Sequence, residues 1–210
     1  MISLFVDTAL SYIRIALFRD DKLIDFINEK CDKNMSSLFD VRVKQLFDRN
    51  NIALSDVDKI YTVTGPGSFT GIRVGMTFSK ILAFSLNKMI TPISELQVLA
   101  STNVDSGFIA PIIDARRGYV YAGVYNSNMV PIVNDRYILL DDFLRKNINI
   151  KYVSYDHFEH ISTITPMIDF QKIIDYNKHV KQIEHQVLTP NYLKLTEAEE
   201  NLRKKKENDN

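Results

Sequence analysis

The sequence predicts a mixed α/β fold, and two observations lead to this prediction. Apolar runs and strict alternation fill the first thirty residues, as β-strands require, and a helical period replaces them from Met35 onward. Helix-like and strand-like segments then alternate, so that the first hundred residues follow the order β-β-β-α-β-α-β-α. This order is the layout of a nucleotide-binding fold.

Three short strands are predicted at the start of the chain. Residues 2–6 form a short, mostly apolar run, which suits a buried strand. Residues 12–18 alternate, with Ile13, Ile15 and Leu17 on one face, and residues 23–28 follow a turn at 20–22. Consecutive strands joined by short turns predict an antiparallel meander.

The first helix is predicted over residues 34–49, because apolar residues recur there at helical spacing. Asn34 or Ser36 is expected to cap it by accepting a backbone N–H bond. A strand at 57–63, a loop at 65–71 and a second helix from 72 to about 87 follow. A short strand at 89–93 then precedes a helix capped by Ser94, which extends to about residue 101.

Fewer elements are predicted in the second half of the sequence. Strands at 108–114 and 119–125 flank a tight link, and a helix at 140–146 precedes a strand at 150–155. Thr165-Pro166 is expected to open a last helix, with Thr165 as its cap. A boundary near residues 103–107 separates a first lobe, 1–103, from a smaller second lobe, 104–195, and the polar tail at 196–210 is expected to fray.

Composition excludes several classes of protein. Lys plus Arg is 26 and Asp plus Glu is 26, which argues against a dedicated nucleic-acid binder. Cys31 is the only cysteine, so disulfide frameworks and cysteine-based zinc fingers are excluded within one chain. No apolar run reaches the length of a membrane span, and the N-terminus lacks the positive flank of a signal peptide. We therefore expect a cytoplasmic globular protein that makes no contact with a membrane.

The most unusual segment is the loop Gly-Pro-Gly-Ser-Phe-Thr-Gly at residues 65–71, which follows a strand and opens a helix. Backbone N–H groups at such a position can point at an anion, which makes Gly65, Gly67 and Ser68 candidates for cofactor binding. However, Ile72-Arg73 stands where a P-loop has Lys followed by Ser or Thr. A tight turn that needs glycine is therefore the favoured interpretation.

The remaining candidates do not form a complete catalytic set. Asp7 follows the first strand, where a carboxylate can hold a magnesium-bound phosphate or act as a base, although a simple turn is the commoner explanation for a lone Asp-Thr pair. His157 and His160 lack further metal ligands and are interpreted as surface residues. Arg116 and Arg117 are candidates for binding an anion such as a phosphate or a carboxylate, with a solvated turn as the commoner explanation.

The second helix carries a ridge of small residues at every fourth position: Gly71, Gly75, Ser79 and Ala83. Such a ridge allows another helix to approach closely. The rest of this helix is apolar on several sides, so it must be covered on more than one side. The residues alone leave open whether this chain or a partner protein provides the cover.

Four motifs occur in an order that resembles one known family. They are Leu-Phe-Val-Asp-Thr at 4–8, Gly-Pro-Gly-Ser-Phe-Thr-Gly-Ile-Arg-Val-Gly at 65–75, Ile-Asp-Ala-Arg-Arg-Gly-Tyr-Val-Tyr at 113–121 and Pro-Asn-Tyr-Leu at 190–193. Together they resemble the TsaB family of bacterial tRNA threonylcarbamoyladenosine biosynthesis proteins, which belongs to the glycoprotease-like TsaD/TsaB group. The resemblance implies the two-lobed actin-like ATPase fold of sugar kinases, Hsp70 and actin, with a βββαβα first lobe and a reduced second lobe.

The resemblance also implies a function without catalysis. TsaB pairs with TsaD, which transfers the threonylcarbamoyl group to the adenosine beside the tRNA anticodon, and TsaE joins them. The chain is therefore expected to contact tRNA only through the complex, to bind no cofactor or metal of its own, and to form a homodimer when alone. The alternatives are an ATP-binding small-molecule kinase of the same fold, motivated by Asp7 and the loop at 65–71, and a protease, which no catalytic triad or metal site supports.

In the family, pairing buries helices of the first lobe from each subunit. The docking surface implied for this chain therefore lies on the helices near 34–49 and 71–87. Replacing Gly75 or Ser79 with leucine is expected to block pairing while leaving the monomer folded. The residues expected at this surface are Met35, Leu38, Phe39, Arg42, Leu46, Gly71, Ile72, Gly75, Met76, Ser79 and Ala83.

Overall fold

The computed structural model describes residues 1–105, 107–146 and 150–194. The predicted fraying of the tail at 196–210 lies outside these residues. The described chain forms two five-stranded sheets with helices packed against them. This arrangement confirms the predicted α/β class.

The first sheet has the strand order β3-β2-β1-β4-β5. Strands β1, β2 and β3 are antiparallel neighbours, which confirms the predicted meander, whereas β4 lies parallel to β1 and β5 parallel to β4. Helical crossovers on the sheet make these parallel connections possible. The strand bounds are β1 Ile2–Asp7, β2 Tyr12–Arg19, β3 Lys22–Lys30, β4 Val57–Gly65 and β5 Ile90–Ser94.

Helices cover both faces of this sheet. Side chains alternate between the two faces of a strand, and nearly every residue of β1 and β2 is buried, so both faces need cover. Helices α1, Met35–Arg49, and α2, Phe69–Leu86, lie on the face that Val6 presents. On the opposite face, the ring of Phe5 meets Phe170 with centroids 5.7 Å apart. Phe170 begins helix α5, Phe170–Asn177, so the end of the chain returns to the first sheet.

The second sheet has the strand order β10-β9-β6-β7-β8. The short helices α3, Glu95–Leu99, and α4, Leu140–Lys146, pack against it. Strand β8 was not predicted from the sequence, and it forms the edge of the sheet beside β7. The strand bounds are β6 Phe108–Asp114, β7 Tyr119–Asn126, β8 Pro131–Leu139, β9 Lys151–Val153 and β10 Thr163–Ile164.

Two predicted helix caps are wrong. Asn34 precedes α1 in the left-handed conformation, with φ 59°, and its side chain accepts no capping bond, while Ser36 already lies inside the helix. No helix opens at Thr165-Pro166. Instead, the side chain of Asp169 caps α5 by accepting the N–H of Lys172 at 2.9 Å. By contrast, the predicted cap at Ser94 is confirmed, since its Oγ accepts the N–H of Leu96.

Candidate functional site

Asp7, the predicted magnesium ligand or base, lies at the end of β1 in a buried group of three charged side chains. Arg14 on β2 donates from Nη1 to Asp7 Oδ2, and the same nitrogen lies 2.9 Å from Glu95 Oε1 at the start of α3. Asp7 Oδ1 accepts the N–H of Ala9 at 2.8 Å. Both carboxylate oxygens of Asp7 therefore already have partners within the chain.

The charge state of this group follows from its burial. All three side chains are removed from solvent, and one guanidinium cannot compensate two carboxylates. Burial, followed by the neighbouring charge of Asp7, raises the pKa of Glu95 well above its usual range. A neutral Glu95 leaves one ion pair, Arg14 with Asp7.

The aromatic rings of Tyr12 and Tyr155 lie close to the guanidinium of Arg14. The guanidinium carbon lies 4.9 Å from the ring centre of Tyr12 on β2 and 5.4 Å from that of Tyr155, which follows β9. The two rings stack on each other at 4.5 Å. Cation–π contacts of this kind hold the guanidinium in place and join the second sheet to the first.

The small-residue ridge of α2 lies against the chain's own sheet. A Cβ on Gly71 would lie 2.2 Å from the carbonyl oxygen of Thr8, and one on Gly75 would lie 2.7 Å from Thr8 Oγ1. Thr8 Oγ1 in turn donates to the carbonyl of Gly71 at 2.6 Å and accepts the N–H of Gly75 at 2.9 Å. Further along the ridge, Ser79 Oγ donates to Thr62 Oγ1 at 3.0 Å.

This packing corrects the prediction that the ridge receives a helix from a partner. The expectation that Gly75→Leu and Ser79→Leu leave the monomer folded is corrected for the same reason. Either leucine would clash with the sheet of its own molecule. Of the residues expected at the docking surface, eight are buried within the chain: Phe39, Leu46, Gly71, Ile72, Gly75, Met76, Ser79 and Ala83.

The other three expected docking residues, Met35, Leu38 and Arg42, are half-buried on α1. Arg42 does not extend freely from the helix. Its guanidinium forms a two-pronged ion pair with Glu29 on β3, with Nε–Oε2 2.5 Å and Nη2–Oε1 2.8 Å. This pair ties α1 to the edge of the first sheet.

The Gly-Pro-Gly loop is a tight turn, as the favoured interpretation predicted. Gly65 has φ 115°, and a Cβ there would lie 2.6 Å from the carbonyl oxygen of Asn191. The N–H of Ser68 is bonded to the carbonyl of Ala9 at 2.7 Å, and Ser68 Oγ accepts the N–H of Gly71. Gly67 fits directly against Ala9, whose carbonyl would lie 2.1 Å from an added Cβ. The backbone N–H of Ser68 is therefore already bonded within the chain, and the two glycines are explained by close packing.

A groove of about 550 Å³ lies between α1 and α2. Its floor contains the contact between Phe39 and Phe78, whose rings meet edge to face at 5.2 Å. Phe69 and Ile81 line it and are 55% and 61% exposed, and Phe84 continues the same side of α2 at 70%. These three apolar side chains were missed by sequence reasoning as docking candidates, although the prediction that α2 is apolar on several sides indicated them.

Arg116 and Arg117 form the turn between β6 and β7, with φ 67° and 56°. Both are exposed, and no ion pair joins either to an acidic side chain in the described part of the chain. Arg116 also lines a cleft of about 410 Å³ between the lobes, together with Ser68 and Asp156.

The histidines His157 and His160 are exposed. Among residues 1–105, 107–146 and 150–194, no group of three or more His, Cys, Asp or Glu side chains is placed to hold a metal ion. A search of the same residues finds no helix with the length and apolar character that crossing a membrane requires.

The sheet order, the parallel crossover strands and the buried carboxylate at the end of β1 define a protein of the actin-like ATPase fold. A sequence model of the family described as "TsaD: tRNA N6-adenosine threonylcarbamoyltransferase" matches residues 26–175. The tRNA threonylcarbamoyladenosine biosynthesis protein TsaB of Bacillus subtilis is 32% identical over 95% of this chain and 96% of its own. The chain belongs to the TsaB family within this group.

Further relatives agree with this assignment. TsaB of Buchnera aphidicola from Schizaphis graminum is 30% identical over 60% of this chain and 61% of its own. The solved structure of YeaZ from Pseudomonas aeruginosa has the same fold, with a TM-score of 0.75 and 20% identity over 91% of this chain and 99% of its own.

Proposed function

We propose that this chain is a non-catalytic subunit that pairs with TsaD, and with TsaE, in the transfer of threonylcarbamoyl to the adenosine beside the tRNA anticodon. In this proposal TsaD performs the chemistry, and this chain stabilises TsaD in its active arrangement and contacts tRNA only through the complex. The proposal includes a cytoplasmic location, where tRNA is modified.

The observation that carries the proposal is the apolar groove between α1 and α2. Large apolar side chains that stay in water on a folded protein indicate a surface used for binding. Phe69, Ile81 and Phe84 expose more than half of their surface on one side of α2. A groove between two helices suits an apolar helix face from a partner, which is how helices commonly dock.

The energetics of such docking favour a few buried anchors. Apolar burial contributes about 25 cal/mol per Å² in gross transfer energy, and the loss of translational and rotational freedom offsets much of it. Most binding energy in protein interfaces therefore resides in a few central, fully covered side chains. Ile81 is the anchor that this groove offers, because it lines the groove and is 61% exposed in the free chain.

The test is binding of purified TsaD from the same organism to two matched variants. Ile81→Asp introduces a charge into the groove and is expected to abolish binding, whereas Ile132→Asp, at a 53% exposed position on β8, is expected to leave it unchanged. Both variants should keep the wild-type melting temperature, since neither side chain belongs to the core. Unchanged affinity of Ile81→Asp for TsaD would place docking elsewhere on the chain, whereas a wild-type chain that does not bind TsaD would overturn the proposal.

The kinase alternative is not favoured by the site. A kinase of this fold requires a carboxylate free to act on a magnesium-bound phosphate, and Asp7 is instead buried against Arg14. We expect isothermal titration calorimetry with ATP and Mg²⁺ to give no binding in the micromolar range by the isolated chain. Micromolar binding would favour the kinase over the scaffold.

A further inference from the structure

The Pro-Asn-Tyr-Leu motif at residues 190–193 has no role in the function proposed so far, and the structure places it against the beginning of α2. The N–H of Asn191 donates to the carbonyl of Thr64 on β4 at 2.8 Å. The carbonyl of Asn191 fills the space left by the absent side chain of Gly65. These contacts fix the position of the next residue, Tyr192, beside α2.

Three side chains stack at this point. The ring of Tyr192 lies on the ring of Phe69, with centroids 5.4 Å apart and planes inclined at 22°. The guanidinium of Arg73, one helical turn further along α2, lies over Phe69 at 3.8 Å from the ring centre. Arg73 Nε also donates to the hydroxyl oxygen of Tyr192 at 3.3 Å. The guanidinium is thus held from two directions.

This stack lines the docking groove and leaves the outer nitrogens of Arg73 available. Phe69 and Arg73 both line the groove between α1 and α2, and Asp40 is the only other charged residue among the described residues that line it. No ion pair joins Arg73 to an acidic side chain in the described part of the chain, and its side chain is exposed. Arginine held in a fixed plane is well suited to a two-pronged bond with a carboxylate.

We propose that Arg73 is a specificity-determining residue, whose guanidinium donates hydrogen bonds to the carboxylate of an aspartate or glutamate of TsaD at one end of the docking groove. Phe69 and Tyr192 hold Arg73 in place for this contact. This inference rests on the proposed function, because it needs TsaD in the groove. The apolar part of the groove provides affinity, and the Arg73 guanidinium selects a partner helix that carries a carboxylate at the matching position. Tyr192 is a positioning residue, since it acts through Arg73 and Phe69.

The main experiment measures the affinity of purified TsaD from the same organism for Arg73→Glu and Arg73→Gln. Arg73→Glu should weaken binding by about tenfold or more, as loss of an interface arginine commonly does, and Arg73→Gln by less. The affinity of the wild type should fall between about 50 and about 500 mM NaCl, and that of Arg73→Gln should change less, because screening acts on the charge pair. The control Arg117→Glu removes another exposed arginine, which has no ion pair with the described residues, and should leave affinity unchanged.

A charge exchange then identifies the partner residue. Single Asp or Glu to Lys substitutions in TsaD should include one that restores binding to Arg73→Glu and weakens binding to the wild type. Tyr192→Phe keeps the ring stack but removes the hydroxyl acceptor of Arg73 and should weaken binding slightly, whereas Tyr192→Ala should weaken it more and reduce its salt dependence. The inference is overturned if Arg73→Glu binds TsaD as the wild type does, or if no lysine substitution in TsaD restores binding to it.

These outcomes separate the inference from the proposed function. If Ile81→Asp abolishes binding while Arg73→Glu does not, the groove is the docking surface and Arg73 has no part in selection. If Ile81→Asp binds TsaD normally, the groove is not the docking surface and the inference about Arg73 fails with it. If the wild type does not bind TsaD, the proposed function itself is wrong.

Discussion

The guanidinium of Arg14 donates to the carboxylate of Asp7, and both side chains are completely buried. In a fold known for nucleotide-dependent enzymes, the carboxylate at the end of the first strand is thereby used to hold the protein together. Glu95 and the rings of Tyr12 and Tyr155 complete the surroundings of the pair. The same group of residues joins the first sheet to the second.

Removing Arg14 should be strongly destabilising. Arg14→Leu leaves the charge of Asp7 buried without a partner, and breaking a buried pair in this way typically costs about 3–5 kcal/mol. Urea unfolding measures the effect. Lys44→Ala, which breaks an exposed pair with Asp48 on α1, is the control and should leave stability nearly unchanged. If Arg14→Leu is as stable as this control, the buried pair does not hold the fold.

The raised pKa of Glu95 predicts a pH dependence with a definite sign. Below its ordinary pKa of 4.5, Glu95 is protonated in both the folded and the unfolded chain. As pH rises from there toward the folded pKa, only the unfolded chain releases the proton, so the contribution of Glu95 to stability is lost.

Glu95→Gln cannot titrate and does not suffer this loss. The free energy of unfolding of Glu95→Gln, relative to the wild type, should therefore increase between about pH 4 and about pH 7. Urea unfolding at several pH values measures this difference, with Glu159→Gln at an exposed position as control. A difference that is constant with pH would show that Glu95 titrates alike in both states.

Gly75→Ala should be destabilising, although alanine is the better helix former. The added Cβ would lie 2.7 Å from Thr8 Oγ1 and 3.1 Å from Val6 Cγ1, so that α2 or β1 must move. Overpacking of this kind typically costs about 1–3 kcal/mol. The control is Gly107→Ala, whose Cβ would have no heavy atom within 4 Å. Equal melting temperatures for the two variants would contradict the packing of α2 on β1.

We also expect the chain to form a homodimer through the same groove when TsaD is absent. Removing the exposed side chains Phe69, Ile81 and Phe84 from water is favourable, and a second copy of the chain offers the same apolar face to cover them. Sedimentation equilibrium should show a dimer for the wild type and a monomer for Ile81→Asp. Dimerisation of Ile81→Asp with unchanged affinity would place the dimer contact on another surface.

Local patterns predicted most of the first lobe correctly. The alternation at residues 12–18 and the helical spacing from Met35 gave the right elements because both depend on neighbours in the chain. Predictions that depended on single capping residues were less successful. Asn34 adopts a left-handed turn, and Thr165-Pro166 opens no helix, since tertiary contacts decided which polar residue begins each helix. Strand β8 was missed for a related reason, because it is an edge strand with one half-exposed face.

The sequence by itself determined the order of strands and helices in the first hundred residues, the tight turn at residues 65–71 and membership of the TsaB family, because these depend on local periodicity and contiguous motifs. Tertiary structure alone decided that Gly71 and Gly75 face the sheet, that Asp7 is paired with Arg14, and that Tyr192 holds Arg73 at the groove. Periodicity shows which residues share a face of a helix. What that face meets depends on contacts between residues far apart in the chain, and only packing in three dimensions fixes them.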